Sequence, residues 1–193
     1  MEAFHFHISI RGNAMRSRLT FIPLFVAMSA ASSLASAADG TITFNGNITS
    51  QTCTIKGNGG GKDFTVTLPT VSTATLSNEG KTAGRTPFVI DLSNCSAGSA
   101  NVHAFFESGP TTDNASGNLI LADGGATEVQ IRLLNGDDGS PIKAGFADAS
   151  QNSKSVTINA GTAQLRYAAE YVATGTAGAG AANTSVLYSI AYQ

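Results

Sequence analysis

Three histidines are present in the 193 residues, and two of them, His5 and His7, precede residue 37. That leaves His103 for the rest of the chain, too little for a zinc site, which wants clustered Cys and His. His103 stands inside an alternating apolar stretch, where a lone histidine is packed or solvated rather than catalytic. No Gly-x-Ser-x-Gly elbow is found, so the commonest nucleophile arrangement is missing too. Charged residues make up 12% of the chain, with 11 cations against 13 carboxylates and no basic cluster. That argues against nucleic acid as a partner. No stretch beyond residue 37 is long and apolar enough to cross a membrane. No amphipathic pattern of three turns occurs, and no repeat of 20–50 residues points to a solenoid or propeller.

Cysteine is nearly absent as well. Cys53 and Cys95 are the two in the chain. In an oxidising compartment their default is one disulfide, a staple rather than a reactive pair. Such a bridge, closing a loop of 42 residues, is worth about 4 kcal/mol on the chain-entropy model.

What is there begins with a leader. Met15-Arg16-Ser17-Arg18 is a short basic start, residues 19–28 are mostly apolar, and Ala35-Ser36-Ala37 closes a run of small residues. That is the layout of a secretory signal peptide, with Met15 a plausible initiator. The expected division is 1–37 removed on export, 38–49 an N-terminal strand, and 50–193 one domain with one core.

Beyond the leader, glycine, alanine, threonine, serine and asparagine separate short alternating runs. Strands are expected over 49–56, 64–68, 88–95, 102–106, 118–121, 129–133, 155–158, 165–172 and 186–193. In the last of these Val186, Tyr188, Ile190 and Tyr192 share one face. A short helical turn is expected at 76–80. Gly57 to Gly61 is a turn rather than a phosphate cradle, because neither Gly-Lys-Ser/Thr nor a helix follows it. Asp137-Asp138 fits a turn better than a calcium loop, whose ligand spacing is missing. Asn47, Asn114 and Asn183 match the glycosylation acceptor pattern, which chance often produces. The fold class is all-β, a sandwich or barrel.

The stretch just before Cys53 has a second feature. Ile42, Phe44, Gly46 and Ile48 fall on alternate positions, with Thr41, Thr43, Asn45 and Asn47 between them. Periodicity alone fits an ordinary first strand. Gly46 is the odd member of the apolar row, and strand glycines often mark a close backbone approach.

Taken together, residues 38–193 resemble the pilin subunits of chaperone–usher fimbriae, most closely the type 1 group. Ile42-x-Phe44-x-Gly46-x-Ile48 looks like that family's donor strand. Phe88-x-Ile90-x-Leu92-x-x-Cys95 resembles its strand leading to the second cysteine. Gly180, fourteenth from the end, and penultimate Tyr192 match its C-terminal motif, and residues 171–183 are similar to its approach to the last strand.

The resemblance implies an immunoglobulin-like sandwich lacking its final strand, with a free N-terminal donor strand. It implies an acceptor groove flanked by the C-terminal strand, with Gly180, Val186, Tyr188, Ile190 and Tyr192 in that strand and its approach. It implies a fimbrial subunit at the cell surface, reached through the periplasm and serving adhesion and biofilm formation. Its implied partners are neighbouring copies, a periplasmic chaperone and an outer-membrane usher, with no cofactor and no metal. The alternatives are a minor adaptor subunit of the same fimbria, a secreted carbohydrate-binding adhesin and a secreted enzyme. The missing motifs disfavour the enzyme. The adhesin lacks room for a lectin domain.

Overall fold

The computed structural model describes residues 43, 52–96 and 101–193. The leader, the donor-strand positions Ile42, Phe44, Gly46 and Ile48, and the expected start of the first strand at 49–51 lie outside the described residues.

Among the described residues, nine antiparallel strands form two sheets. The larger has the order β1 (Thr54–Gly57), β2 (Thr82–Ser93), β8 (Ala163–Ala173), β5 (Val129–Asn135) and β4 (Leu119–Ile120), with β6 (Pro141–Ile142) also paired to β5. The smaller is β7 (Val156–Thr157), β3 (Asn101–Phe106) and β9 (Tyr188–Tyr192). Alternation sets which residues meet between the sheets. Phe88, Ile90 and Leu92 of β2, Leu165, Tyr167 and Ala169 of β8, and Val102, Ala104 and Phe106 of β3 are all buried. Tyr167 is the hub, its ring centroid 5.6 Å from Phe88 and 5.3 Å from Phe106, the latter edge-on.

Side chains close backbone edges that strands leave open. Tyr167 Oη accepts from Ala104 N at 3.0 Å. The amide of fully buried Gln151 accepts from Phe106 N and donates to Phe106 O, both at 2.8 Å. Gln151 thus acts as one residue of a neighbouring strand and satisfies the buried peptide groups of Phe106. It sits on a single helical turn, α1 (Asp148–Gln151), which periodicity does not predict because one turn has no period. The same turn brings Asp148 Oδ1 to 2.7 Å from His103 Nε2. His103 is therefore a packed, hydrogen-bonded residue.

Several expected elements shift. The strand expected at 88–95 begins at Thr82, because a bulge between Ala83 and Thr86 carries the chain past Gly84 and Pro87. Gly84 has φ of 69°, a conformation glycine adopts without strain. β1 pairs with β2 only over residues 90–93, so the N–H that Pro87 lacks has no ladder to break. The helical turn expected at 76–80 is a 3-10 turn at Thr73–Leu76 instead, capped by Ser72 Oγ accepting from Ala74 N. The stretch 64–68 keeps its alternation, with Phe64, Val66 and Leu68 half-buried and Thr65 and Thr67 exposed, yet forms no ladder.

The Asp137-Asp138 segment is a hairpin turn. Gly139 N donates to Asn135 O, and Asp138 Oδ1 accepts from Ser140 N, both at 2.9 Å. Cys53 and Cys95 are bonded to each other, tying the chain before β1 to the chain after β2. On the outer face of the larger sheet, Glu170 is 2% exposed. Arg85 Nε donates to it at 2.9 Å and Arg132 Nε at 3.1 Å.

Candidate functional site

The smaller sheet stops short. Residues 181–187 run into β9 as an extended segment bonded, among the described residues, along one edge. The carbonyls of Ala181, Asn183 and Leu187 accept from the backbone N–H groups of Ala126, Ala122 and Glu107, at 2.7, 2.8 and 2.9 Å. The Ser185 carbonyl accepts from Thr111 Oγ1 at 2.6 Å. In a strand, the peptide groups of alternate residues point to opposite edges. Those of Ala182, Thr184 and Val186 therefore face away from residues 107–126, and among the described residues they have no backbone partner.

Residues 64–68 stand opposite. No backbone hydrogen bond to them occurs among the described residues, which explains why an alternating sequence there builds no ladder. Between the two segments lies a cleft of about 440 Å3. Phe64, Val66 and Leu68 form one rim and residues 184–188 the other, over a floor that includes Ile90, Phe106, Ile131 and Leu133. A second hollow of about 350 Å3, between residues 70–76 and 177–182, lies along the same C-terminal segment. Apolar side chains and open peptide edges together are what an added β-strand satisfies.

The C-terminal residues change in size along this line. Ala182, Thr184 and Val186 are small, whereas Tyr188, Ile190 and Tyr192 are large, and all six share the inward face. At Tyr188 the two rims are tied: its Oη donates to Lys62 O at 2.7 Å, and its ring lies edge-on to Phe64 with centroids 6.2 Å apart. Phe64 can sit there because Gly57 beneath it has no Cβ; one would fall 1.9 Å from Phe64 Cδ1. Burial raises the Tyr188 phenol above its ordinary value, helped by the nearby Asp63 charge and opposed by Lys62. Burial likewise raises Tyr192, opposed by a hydrogen bond from the Cys53 backbone.

Of the residues singled out from sequence, Val186 lines the cleft, Tyr188 closes one end of it, and Ile190 and Tyr192 pack into the core beyond. Gly180 supplies closeness instead of surface. A Cβ there would lie 2.5 Å from Ala126 N, whose hydrogen bond to Ala181 O needs that approach. The opposite rim escaped sequence reasoning as a site, because an unpaired strand has the same alternation as a paired one. Gly57 signalled a turn, and nothing in its neighbours revealed the ring above it.

Comparison with known proteins points one way. The family model for the type-1 fimbrial protein, A, matches residues 68–193. The chain is 50% identical over 170 residues to the major fimbrial subunit SMF-1 of Stenotrophomonas maltophilia, covering 86% of this chain and 99% of that one. It is 45% identical over 181 residues to the F17 fimbrial protein of Escherichia coli, covering 91% and 99%. Among solved structures it is similar to the Burkholderia pseudomallei antigen and type I fimbria protein BPSL1626. That match has 36% identity and a TM-score of 0.51 over 67% of this chain and 82% of that one.

Proposed function

The chain belongs to the type-1 fimbrial subunits of chaperone–usher pili, and from that premise we propose that it polymerises by giving its N-terminal strand to the cleft of the next copy. Members of this family are immunoglobulin-like structural proteins, exported and displayed as fimbriae, and are not enzymes. The observation that carries the proposal is the pair of facing, unpaired rims over an apolar floor. Strand addition is the recognised mode by which pilins are completed; these residues explain why it suits this chain.

Residues 42–48 would supply ladder hydrogen bonds to both rims and three apolar plugs, Ile42, Phe44 and Ile48. At roughly 2 kcal/mol for each large buried side chain, the plugs contribute on the order of 6 kcal/mol. That is comparable with the whole stability of a domain. A contact with donor at one end and acceptor elsewhere is head-to-tail, and such contacts grow into open filaments. Before assembly, a periplasmic chaperone would cover the cleft along the C-terminal strand, and an outer-membrane usher would receive the complex. Residues 1–37 would be removed on export and 50–193 would form the body of the subunit.

A major structural role, supporting adhesion and biofilm formation, is favoured by the 50% identity to a protein described as a major fimbrial subunit. A minor adaptor of the same fibre is the second reading, and the number of copies per fibre separates the two. The test is electron microscopy of producing cells. A Gly46→Leu subunit should give no fibres while still being recovered with its chaperone, because a bulky side chain cannot pass a close approach. A chain starting at Asn47 should not polymerise. Normal filaments from either variant would refute strand donation.

A further inference from the structure

We propose that Asn58-Gly59 is a site of spontaneous covalent modification, where the folded chain converts its own asparagine to aspartate and isoaspartate. The backbone N of Gly59 adds to Cγ of Asn58, and the Cγ–Nδ2 bond breaks. The Gly59 amide proton leaves with Nδ2 as ammonia, and a succinimide remains. Water then opens that ring. Breaking the new bond from Cγ to Gly59 N gives aspartate; breaking the original peptide bond gives isoaspartate. Nothing is oxidised or reduced. Three observations favour the step here. Asn58 and Gly59 have φ of 47° and 77°, and Gly60 N donates to Gly57 O at 2.8 Å, so the pair fills the two central positions of a tight I′-type turn. Among the described residues Gly59 N has no acceptor, and nothing lies within 4 Å of where a Cβ on Gly59 would stand. The attacking atom is therefore unoccupied and open to water. Finally, Val89 N donates to Asn58 Oδ1 at 2.9 Å. That donor polarises Cγ and points at the oxygen where charge develops as Gly59 N adds.

Asn135-Gly136 is the same dipeptide in the opposite situation. Asn135 is 2% exposed. Its Nδ2 donates to Asn152 O at 2.7 Å and to Ser140 Oγ at 2.9 Å, and Gly136 N donates to Arg166 O at 2.9 Å. Its Oδ1 accepts from Lys154 N, so Cγ is polarised much as in Asn58. The nucleophile and the leaving group are nevertheless both held, and water is shut out. A third such pair, Asn45-Gly46, lies outside the described residues. Conversion at Asn58 has a consequence for the cleft. Asn58 extends the pairing of β1 with β2 by one residue, its N donating to Val89 O at 3.0 Å while its side chain stands in for its own carbonyl. In isoaspartate the main chain runs through Cγ, so the oxygen that accepts from Val89 becomes a backbone oxygen. The turn then gains a carbon and a carboxylate. It adjoins Gly57, over which Phe64 is seated, so the rim at 64–68 is displaced. This consequence rests on the strand-donation reading; the modification itself does not.

The test is mass spectrometry of the folded subunit, free or in fibres, after ageing in warm neutral buffer. Trypsin cuts after Lys56 and Lys62 and isolates residues 57–62, in which each conversion replaces an amide nitrogen with an oxygen. In the folded chain Asn58 should convert at least about tenfold faster than Asn135, and in denaturant the two should convert at similar rates. Asn58→Gln places the carboxamide one carbon farther from Gly59 and should leave that peptide unconverted. Equal rates in the folded chain would overturn the proposal, as would an Asn58 that persists while the denatured chain converts. The second measurement is the temperature at which fibres dissociate. Ageing should lower it in the parent and leave Asn58→Gln fibres unchanged. Equal loss in both would overturn the displacement of the rim while the conversion stands. Strand donation fails separately, by the absence of filament defects in the variants described above, since the conversion is read in a single folded chain.

Discussion

β8 and the C-terminal strand are both alternating, aromatic-bearing segments, and their situations are opposite. β8 is paired on both edges, to β2 and to β5. It is covered on both faces, with Leu165, Tyr167 and Ala169 inward and Ala168, Glu170 and Val172 outward, all under 10% exposed. Among the described residues the C-terminal strand is paired on one edge, and its inward residues from Ala182 to Tyr192 are half-buried. The difference lies in the number of neighbours, because a strand's own sequence fixes its faces and leaves open who sits beside it. Mutations in β8 should therefore act on the subunit, and mutations along the C-terminal segment on the fibre.

The largest effect should come from Leu165→Ala. Leu165 is 1% exposed in the closed part of the core, and truncation there costs about 3 kcal/mol through lost burial and the cavity left behind. Chemical denaturation of the processed subunit should show the midpoint fall with little change in slope. A loss below 1 kcal/mol would mean that this part of the core is not closed either.

Glu170→Gln comes next. The carboxylate is buried between Arg85 and Arg132, and removing its charge leaves two guanidiniums facing each other. We expect a loss of about 2 kcal/mol in the same assay, at the low side for a broken buried pair because Arg85 is half in water. Salt should narrow the gap between the variant and the parent.

pH should separate the two regions at opposite extremes. Burial raises the Tyr167 phenol above 10, so the folded state disfavours its ionised form. That stability is complete below pH 10 and is lost as pH rises beyond it, through the core that β8 organises. Asp113, in the loop beside the C-terminal segment, is lowered from 3.8 to about 2, first by the Ala115 backbone hydrogen bond and then by Gln130 and Ser116. Its contribution is present above pH 4 and is lost as pH falls toward 2. Hydrogen exchange should show residues 113–118 opening first in acid. Global melting in acid before that loop opens would contradict the division.

How much of this was legible in the sequence follows the same line. Alternation located the strands of the closed core because Phe88, Ile90 and Leu92 bury the face that their period predicts. The bulge at Gly84 hid the first half of β2, since Gly and Pro are also the signals of a turn. Gln151 and Glu170 were invisible as structural centres, because their partners come from 45 and 85 residues away in the chain. The C-terminal rim of the cleft was marked by the alternation of Val186, Tyr188, Ile190 and Tyr192 and by the motif residues Gly180 and Tyr192. The opposite rim at 64–68 was seen as a strand, but nothing local says that a strand lacks a neighbour.

The smallest expected effect on the subunit, and the most discriminating, is that of Val186→Ala. Val186 is half-buried at the cleft rim and touches empty volume on one side. Removing two methyl groups already partly in water costs the unfilled subunit about 0.5 kcal/mol. Once a donated strand covers the cleft, the same groups lie wholly out of water and against the partner's side chains. There the loss should rise to about 1.5 kcal/mol, because the cavity is then enclosed and its walls cannot relax. Repeated at every junction, that difference lowers the temperature at which fibres dissociate while barely moving the melting of the free subunit. Equal losses in the two states would mean that the cleft is already filled in the lone chain. The contrast between β8 and the C-terminal strand would then be one of degree.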